Sequence, residues 1–131
     1  MKKIFSIVFF TILVTLAYSA PVLVPMNNAK EYARLSENKK VLLKGDYKTG
    51  KEDTIVVFSK MRHTPLNMVE AFRFSPQEDK LLLKSGNEYF VYRVGTNRAE
   101  KLSENGSQTA PIFSPDGNNV AFIRANNIFI K

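Results

Sequence analysis

Phe74-Ser75-Pro76, then Lys80-Leu81-Leu82-Leu83-Lys84, then Asn87-Glu88-Tyr89-Phe90-Val91-Tyr92, form a unit that this chain uses twice. The second copy follows 39 to 40 residues later: Phe113-Ser114-Pro115, Asn119-Val120-Ala121-Phe122-Ile123 and Asn127-Ile128-Phe129-Ile130-Lys131. That period, made of short apolar runs between turn residues, is the length of one four-stranded propeller blade. Ser114-Pro115-Asp116-Gly117 has type I turn chemistry, because proline presets φ and glycine takes positive φ cheaply. Glu78 occupies the place of Gly117 in the first copy, so that turn carries strain or shifts onto Asp79. Leu42-Leu43-Lys44, in the run Val41 to Lys44, matches Leu82-Leu83-Lys84 and marks a third, weaker copy upstream.

The remaining chain reads as short strands between turns. Tyr32 to Leu35 fits a strand or a helical turn, with strand preferred, and Ser36 to Lys40 turns it into Val41 to Lys44. Gly50 suits the left-handed position of a short hairpin loop. Thr54 to Phe58 is β-branched and apolar, as strands are. A polar loop, Met61 to Asn67, leads into a strand over Met68 to Phe74, with Met68, Glu70, Phe72 and Phe74 on one side. The runs Tyr89 to Tyr92, Val120 to Ile123 and Ile128 to Ile130 are apolar on both faces, so both faces need cover. Stacked blades supply it. The fold class is therefore all-β: an incomplete β-propeller of about eight antiparallel strands, in two to three four-stranded blades, after an N-terminal signal helix. Residues 1–19 are read as leader, 20–30 as linker and 31–131 as partial propeller.

The leader reading rests on Lys2-Lys3, the apolar run Ile4 to Leu16 and the small residues Ala17, Ser19 and Ala20. Pro21 obstructs cleavage after Ala20, which places the cut after Ser19; the alternative is an uncleaved anchor. Export to the periplasm or beyond is expected, with no membrane contact after cleavage. The chain has 131 residues and a formal charge of +7, which falls to +5 when Lys2 and Lys3 leave. That balance is weak evidence for an acidic partner. With no cysteine, disulfides, thiolate metal sites, thiol catalysis and a cysteine-linked lipid anchor are excluded.

Residues 113–117 (FSPDG), 120–124 (VAFIR) and 126–131 (NNIFIK) together resemble the N-terminal propeller region of dipeptidyl peptidase IV-like serine peptidases, of the prolyl-oligopeptidase clan. Val41 to Lys51 and Lys101 to Gly106 resemble other parts of that region in the same order, so the likeness runs from about residue 31 to the end. FSPDG alone is shared with TolB-type propellers. The resemblance implies an exported serine exopeptidase that removes dipeptides after proline or alanine. It further implies a nucleophile on a GxSxG elbow in a later α/β-hydrolase domain, which this sequence does not contain. The chain is expected to be the N-terminal portion of such a protein, cut by a stop, a frameshift or an incomplete sequence, and inactive alone. The alternative is a short exported, non-catalytic, TolB-type binding module.

No catalytic, substrate-binding, cofactor or metal residue is assigned. Acyl transfer needs a base within reach of its nucleophile, and the only histidine, His63, lies in a polar loop without an evident partner. The family's substrate-binding arginine loop would fall between Leu81–Leu83 and Tyr89–Tyr92, where only Lys84 to Glu88 fit; its glutamate pair would lie past Lys131. Arg93 reads as a solvated edge residue. Lys39, Lys40, Lys44, Lys48 and Lys51 alternate with Asp46, Glu52 and Asp53, which argues against nucleic acid. Phe72, Phe74, Tyr89, Phe90 and Tyr92 sit at period two and read as core rather than a stacking platform. Asn105-Gly106-Ser107 fits a glycosylation sequon but equally an ordinary turn, and the turn is preferred. A peptide substrate is expected only as part of a full-length enzyme. The apolar edge at Ile128 to Ile130 predicts self-association.

Overall fold

A computed structural model describes residues 20–131; residues 1–19, read above as leader, lie outside them. The described chain forms eleven strands and one 3-10 turn. The strands are β1 (Val24–Pro25), β2 (Glu31–Leu35), β3 (Val41–Asp46), β4 (Glu52–Val57), β5 (Ala71–Phe74) and β6 (Lys80–Ser85). They continue as β7 (Glu88–Arg93), β8 (Arg98–Lys101), β9 (Thr109–Phe113), β10 (Val120–Arg124) and β11 (Asn127–Ile130). Three antiparallel sheets result, in the orders β1-β2-β3-β4, β5-β6-β7-β8 and β9-β10-β11. They are called blades 1, 2 and 3.

The repeat is kept most strictly at its first tight turn. Ser36, Ser75 and Ser114 stand 39 residues apart, and each does the same work. The backbone N–H of each donates to the carbonyl of the residue five further on, at 2.8–2.9 Å. Each hydroxyl accepts from the N–H of that same residue, at 3.0 Å. Three residues past each serine the backbone is left-handed: Lys39 at φ 57°, Glu78 at 59° and Gly117 at 69°. The strain anticipated at Glu78 is thus real, and Asp79 does not replace it. Glu78 also accepts the Asn27 N–H at 2.6 Å, which joins blade 1 to blade 2.

Several boundaries differ from the sequence reading. The stretch 20–30, read as linker, contributes β1 and a hairpin onto β2. The strand read from Met68 begins at Ala71, because Val69 is instead drawn into the core. Phe58 starts the 3-10 turn rather than ending β4. The loop Met61 to Asn67 is only partly polar: Met61 and Leu66 are buried with Val69. Aligned on the serines, β2, β5 and β9 correspond, so β8 has no counterpart in blade 1. Residues 58–70 cover the core there, and β1 is an added strand on the opposite edge.

Blade 2 shows why these sheets stack. Leu81, Leu83, Phe90 and Tyr92 point into a core shared with Ala33, Leu42, Val56 and Phe58 of blade 1. Their neighbours Leu82, Tyr89 and Val91 point the other way, against Phe113, Val120 and Phe122 of blade 3. A sheet apolar on both faces has here found cover on both. The outer face of blade 1 is polar instead: Arg34 holds Glu52 through Nε and Nη2, both at 2.6 Å, and the Tyr32 hydroxyl donates to the same carboxylate at 2.9 Å. Gly45, paired across the ladder with Tyr32, leaves room for that ring; a Cβ there would collide with it.

Candidate functional site

The residues weighed from sequence do not converge on one place. His63 is exposed, in a left-handed backbone conformation (φ 65°), between β4 and β5. Lys39 and Lys40 lie before β3 whereas Lys48 and Lys51 lie beyond its far end, so these lysines form no single patch. Lys44, between them, pairs with Glu31 at 3.2 Å. Phe72 and Phe74 meet edge to face at 5.9 Å and pack on the blade 1–blade 2 core, as do Phe90 and Tyr92. Gly106 has φ 68°, consistent with a turn at Asn105 to Ser107. Ser85 pairs directly with Glu88, so the β6–β7 connection is a tight hairpin with no excursion. Among the described residues no three His, Asp or Glu side chains gather as a metal group would require.

Two clefts of about 440 Å³ each open between blades 2 and 3, at opposite ends of their interface. The first is mostly apolar, with Phe72, Leu82, Tyr89, Pro111 and Ile112 on its walls beside Arg73 and Lys84. The second lies at the serine-turn end. Lys80, Arg93, Arg98 and Lys131 line it, and Glu100 is the one carboxylate among its lining residues. Register builds this wall: Lys80 is the ladder partner of Arg93, and Arg93 of Arg98. Arg62, in the loop after β4, bridges Arg98 from the other side. Arg93 is exposed, as read from sequence, but it lies on an inner strand between two cations rather than at a sheet edge. Sequence could not show this, because Arg93 and Arg98 meet only once the β7–β8 turn fixes their pairing.

The local electrostatics are those of a positive cleft with braced turns. Lys80 donates to Asp79 Oδ2 at 2.9 Å and to the Gly117 carbonyl of blade 3 at 3.1 Å. That lysine, with help from the Ser75 hydroxyl at 2.8 Å, holds the Asp79 carboxyl below its usual range. The Ser114 hydroxyl and then the Asn118 N–H lower Asp116 in the matching turn of blade 3. Glu88 raises Lys101 through their 3.0 Å contact. Lys131 Nζ donates to the Lys101 carbonyl. Arg98 meets Glu100 only at 3.5 Å, with both side chains more than half exposed.

Three successive antiparallel sheets, with the central one covered on both faces, define a segment of a β-propeller. Residues 75–131 match the family described as Dipeptidyl peptidase IV (DPP IV) N-terminal region. The solved structure of Porphyromonas gingivalis dipeptidyl peptidase 4 is similar over 86% of this chain, at 29% identity and a TM-score of 0.73. The chain spans 18% of that protein's length. TolB from Acinetobacter baumannii has the same fold over 82% of this chain and 28% of its own, at 23% identity and a TM-score of 0.54. No curated protein matches the sequence. Over residues 75–131 the chain has the dipeptidyl peptidase IV N-terminal pattern, and the fold carries that likeness across most of the described residues.

Proposed function

We propose that this chain is the N-terminal propeller segment of an exported, dipeptidyl peptidase IV-like serine exopeptidase. The whole protein would remove X-Pro or X-Ala dipeptides, and this segment would supply wall rather than chemistry. The observation that carries the reading is the colinear likeness to a dipeptidyl peptidase over both fold and sequence. The only histidine, His63, is exposed on a loop and lines neither cleft, which supports a wall role for this segment. Export rests on the leader, with cleavage after Ser19 to leave a mature chain starting at Ala20. The open face of blade 3 would meet a further blade in the full-length protein and a second copy when the chain is alone.

Two measurements test this. Purified residues 20–131 should leave a Gly-Pro chromogenic substrate intact; hydrolysis that follows the pure protein would refute the assignment. The reading frame past codon 131 should continue through further blades into a GxSxG motif. A stop there in several independent isolates would favour the non-catalytic, TolB-type binding module instead. Fusing residues 1–30 to a reporter active only after export checks the leader; a silent reporter would overturn that part.

A further inference from the structure

We propose that the cleft at the serine-turn end of blades 2 and 3 binds a compact oxyanion carrying two or more negative charges. Like charges directly opposite on neighbouring strands repel and destabilise a sheet. Blade 2 nevertheless places Lys80, Arg93 and Arg98 opposite one another on three successive strands. Strands lie about 4.8 Å apart, so this row spans about 10 Å. That length suits a ligand with two or three anionic groups, and guanidinium groups take oxyanions bidentately.

Other observations give the row a direction. Ladder partners share a face, and this one also carries Leu82 and Val91, which pack on blade 3. The cations therefore look into the interblade cleft, where Lys131 joins them from blade 3. Lys80 is fixed by Asp79 and by the Gly117 carbonyl, so one wall is already ordered. Arg93 has no carboxylate within 4.0 Å among the described residues, and its two ladder neighbours are cations. Among the described residues, the carboxylate partner of Arg98 is Glu100, in a long, exposed contact. Arg93 and Arg98 thus keep a like-charge pairing that a bound oxyanion would relieve.

Calorimetry with tripolyphosphate and with citrate tests the site, using wild-type chain at two salt concentrations. Tripolyphosphate binding alone would identify phosphate chemistry, and comparable citrate binding would identify any multivalent oxyanion. Arg93→Gln and Arg98→Gln change exposed side chains, and each should weaken binding by about tenfold or more, the loss of one charge-assisted contact. Lys48→Gln removes the same charge outside the cleft and should leave affinity unchanged. Independently of ligand, Arg93→Gln should raise the midpoint of unfolding in low salt by relieving the ladder. Absence of binding to both anions at millimolar concentration, or equal weakening by Lys48→Gln, would overturn the proposal.

Discussion

Ser75 shows how much one buried hydroxyl can organise. It is 2% exposed, donates to Asp79 and accepts the Lys80 N–H, so both its hydrogen-bonding roles are used inside the fold. Ser75→Ala would leave the Lys80 N–H without that oxygen and Asp79 without one donor. The expected cost is about 1–2 kcal/mol, the scale for orphaning partly buried polar groups. Urea unfolding followed by far-UV circular dichroism would measure it, and an unchanged midpoint would count against this role. A second residue-scale effect has the opposite sign. Ala125 holds φ 47° in the β10–β11 turn, beside Asn126 at φ 62°. That pair of positive φ values fits a type I′ hairpin. Ala125→Gly should stabilise the chain by up to about 1 kcal/mol, since glycine adopts this conformation with little strain. The Glu78 strain was legible in sequence because the repeat set it against Gly117. Ala125 was not, because nothing in its identity announces a left-handed turn.

At the scale of elements, the apolar strands could be read directly and the polar ones could not. β6, β7 and β10 stand out as runs of Leu, Val, Ile and aromatic residues. β8 reads Arg-Ala-Glu-Lys, with only Ala99 buried, and is a strand because β7 offers it a ladder. β1 has two residues, too few to show any period. The cationic cleft was hidden for the same reason, since it depends on register between β6, β7 and β8. The turns carry a pH dependence of their own. Asp79 and Asp116 both titrate below the usual aspartate range, held by Lys80 and Ser75 in one case and by Ser114 and Asn118 in the other. A carboxylate depressed in the folded state contributes stability above its unfolded pKa, about 3.9, and loses it as pH falls below that. The melting temperature should therefore hold steady from neutral pH to about pH 5 and drop below about pH 4. Asp79→Asn with Asp116→Asn should make that drop shallower. Part of it should persist, because Glu31 and Glu52 are also depressed, by Asn28 with Lys44 and by Arg34 with Tyr32. An acid limb of equal depth in the double variant would show that the turns do not set it.

Across the whole molecule, burial is complete at one sheet and one-sided at another. Among the described residues, blade 2 lies between two cores, whereas blade 3 packs through Phe113, Val120, Phe122 and Phe129 on one face. Its other face presents Ile112, Ala121, Ile123, Ile128 and Ile130, joined by the pairings of Ala121 with Ile112 and Ile130, and of Ile123 with Ile128. Ile128 and Ile130 are 77% and 74% exposed on an edge strand. A contiguous apolar face beside an open strand edge favours pairing with another chain. Residues 20–131 should accordingly sediment as oligomers whose size grows with concentration. Ile128→Lys with Ile130→Lys places two charges on that face while sparing Phe129, which packs inward and carries Arg124 over its ring at 4.0 Å. The double variant should sediment as a monomer with an unchanged circular dichroism spectrum, because neither isoleucine supports the core. A wild-type chain that stays monomeric at every concentration, with a cooperative melt, would mean that the isoleucine face is tolerated in water. Oligomers that persist in the variant would instead move the contact to another sheet edge, at β1, β4, β5, β8 or β9.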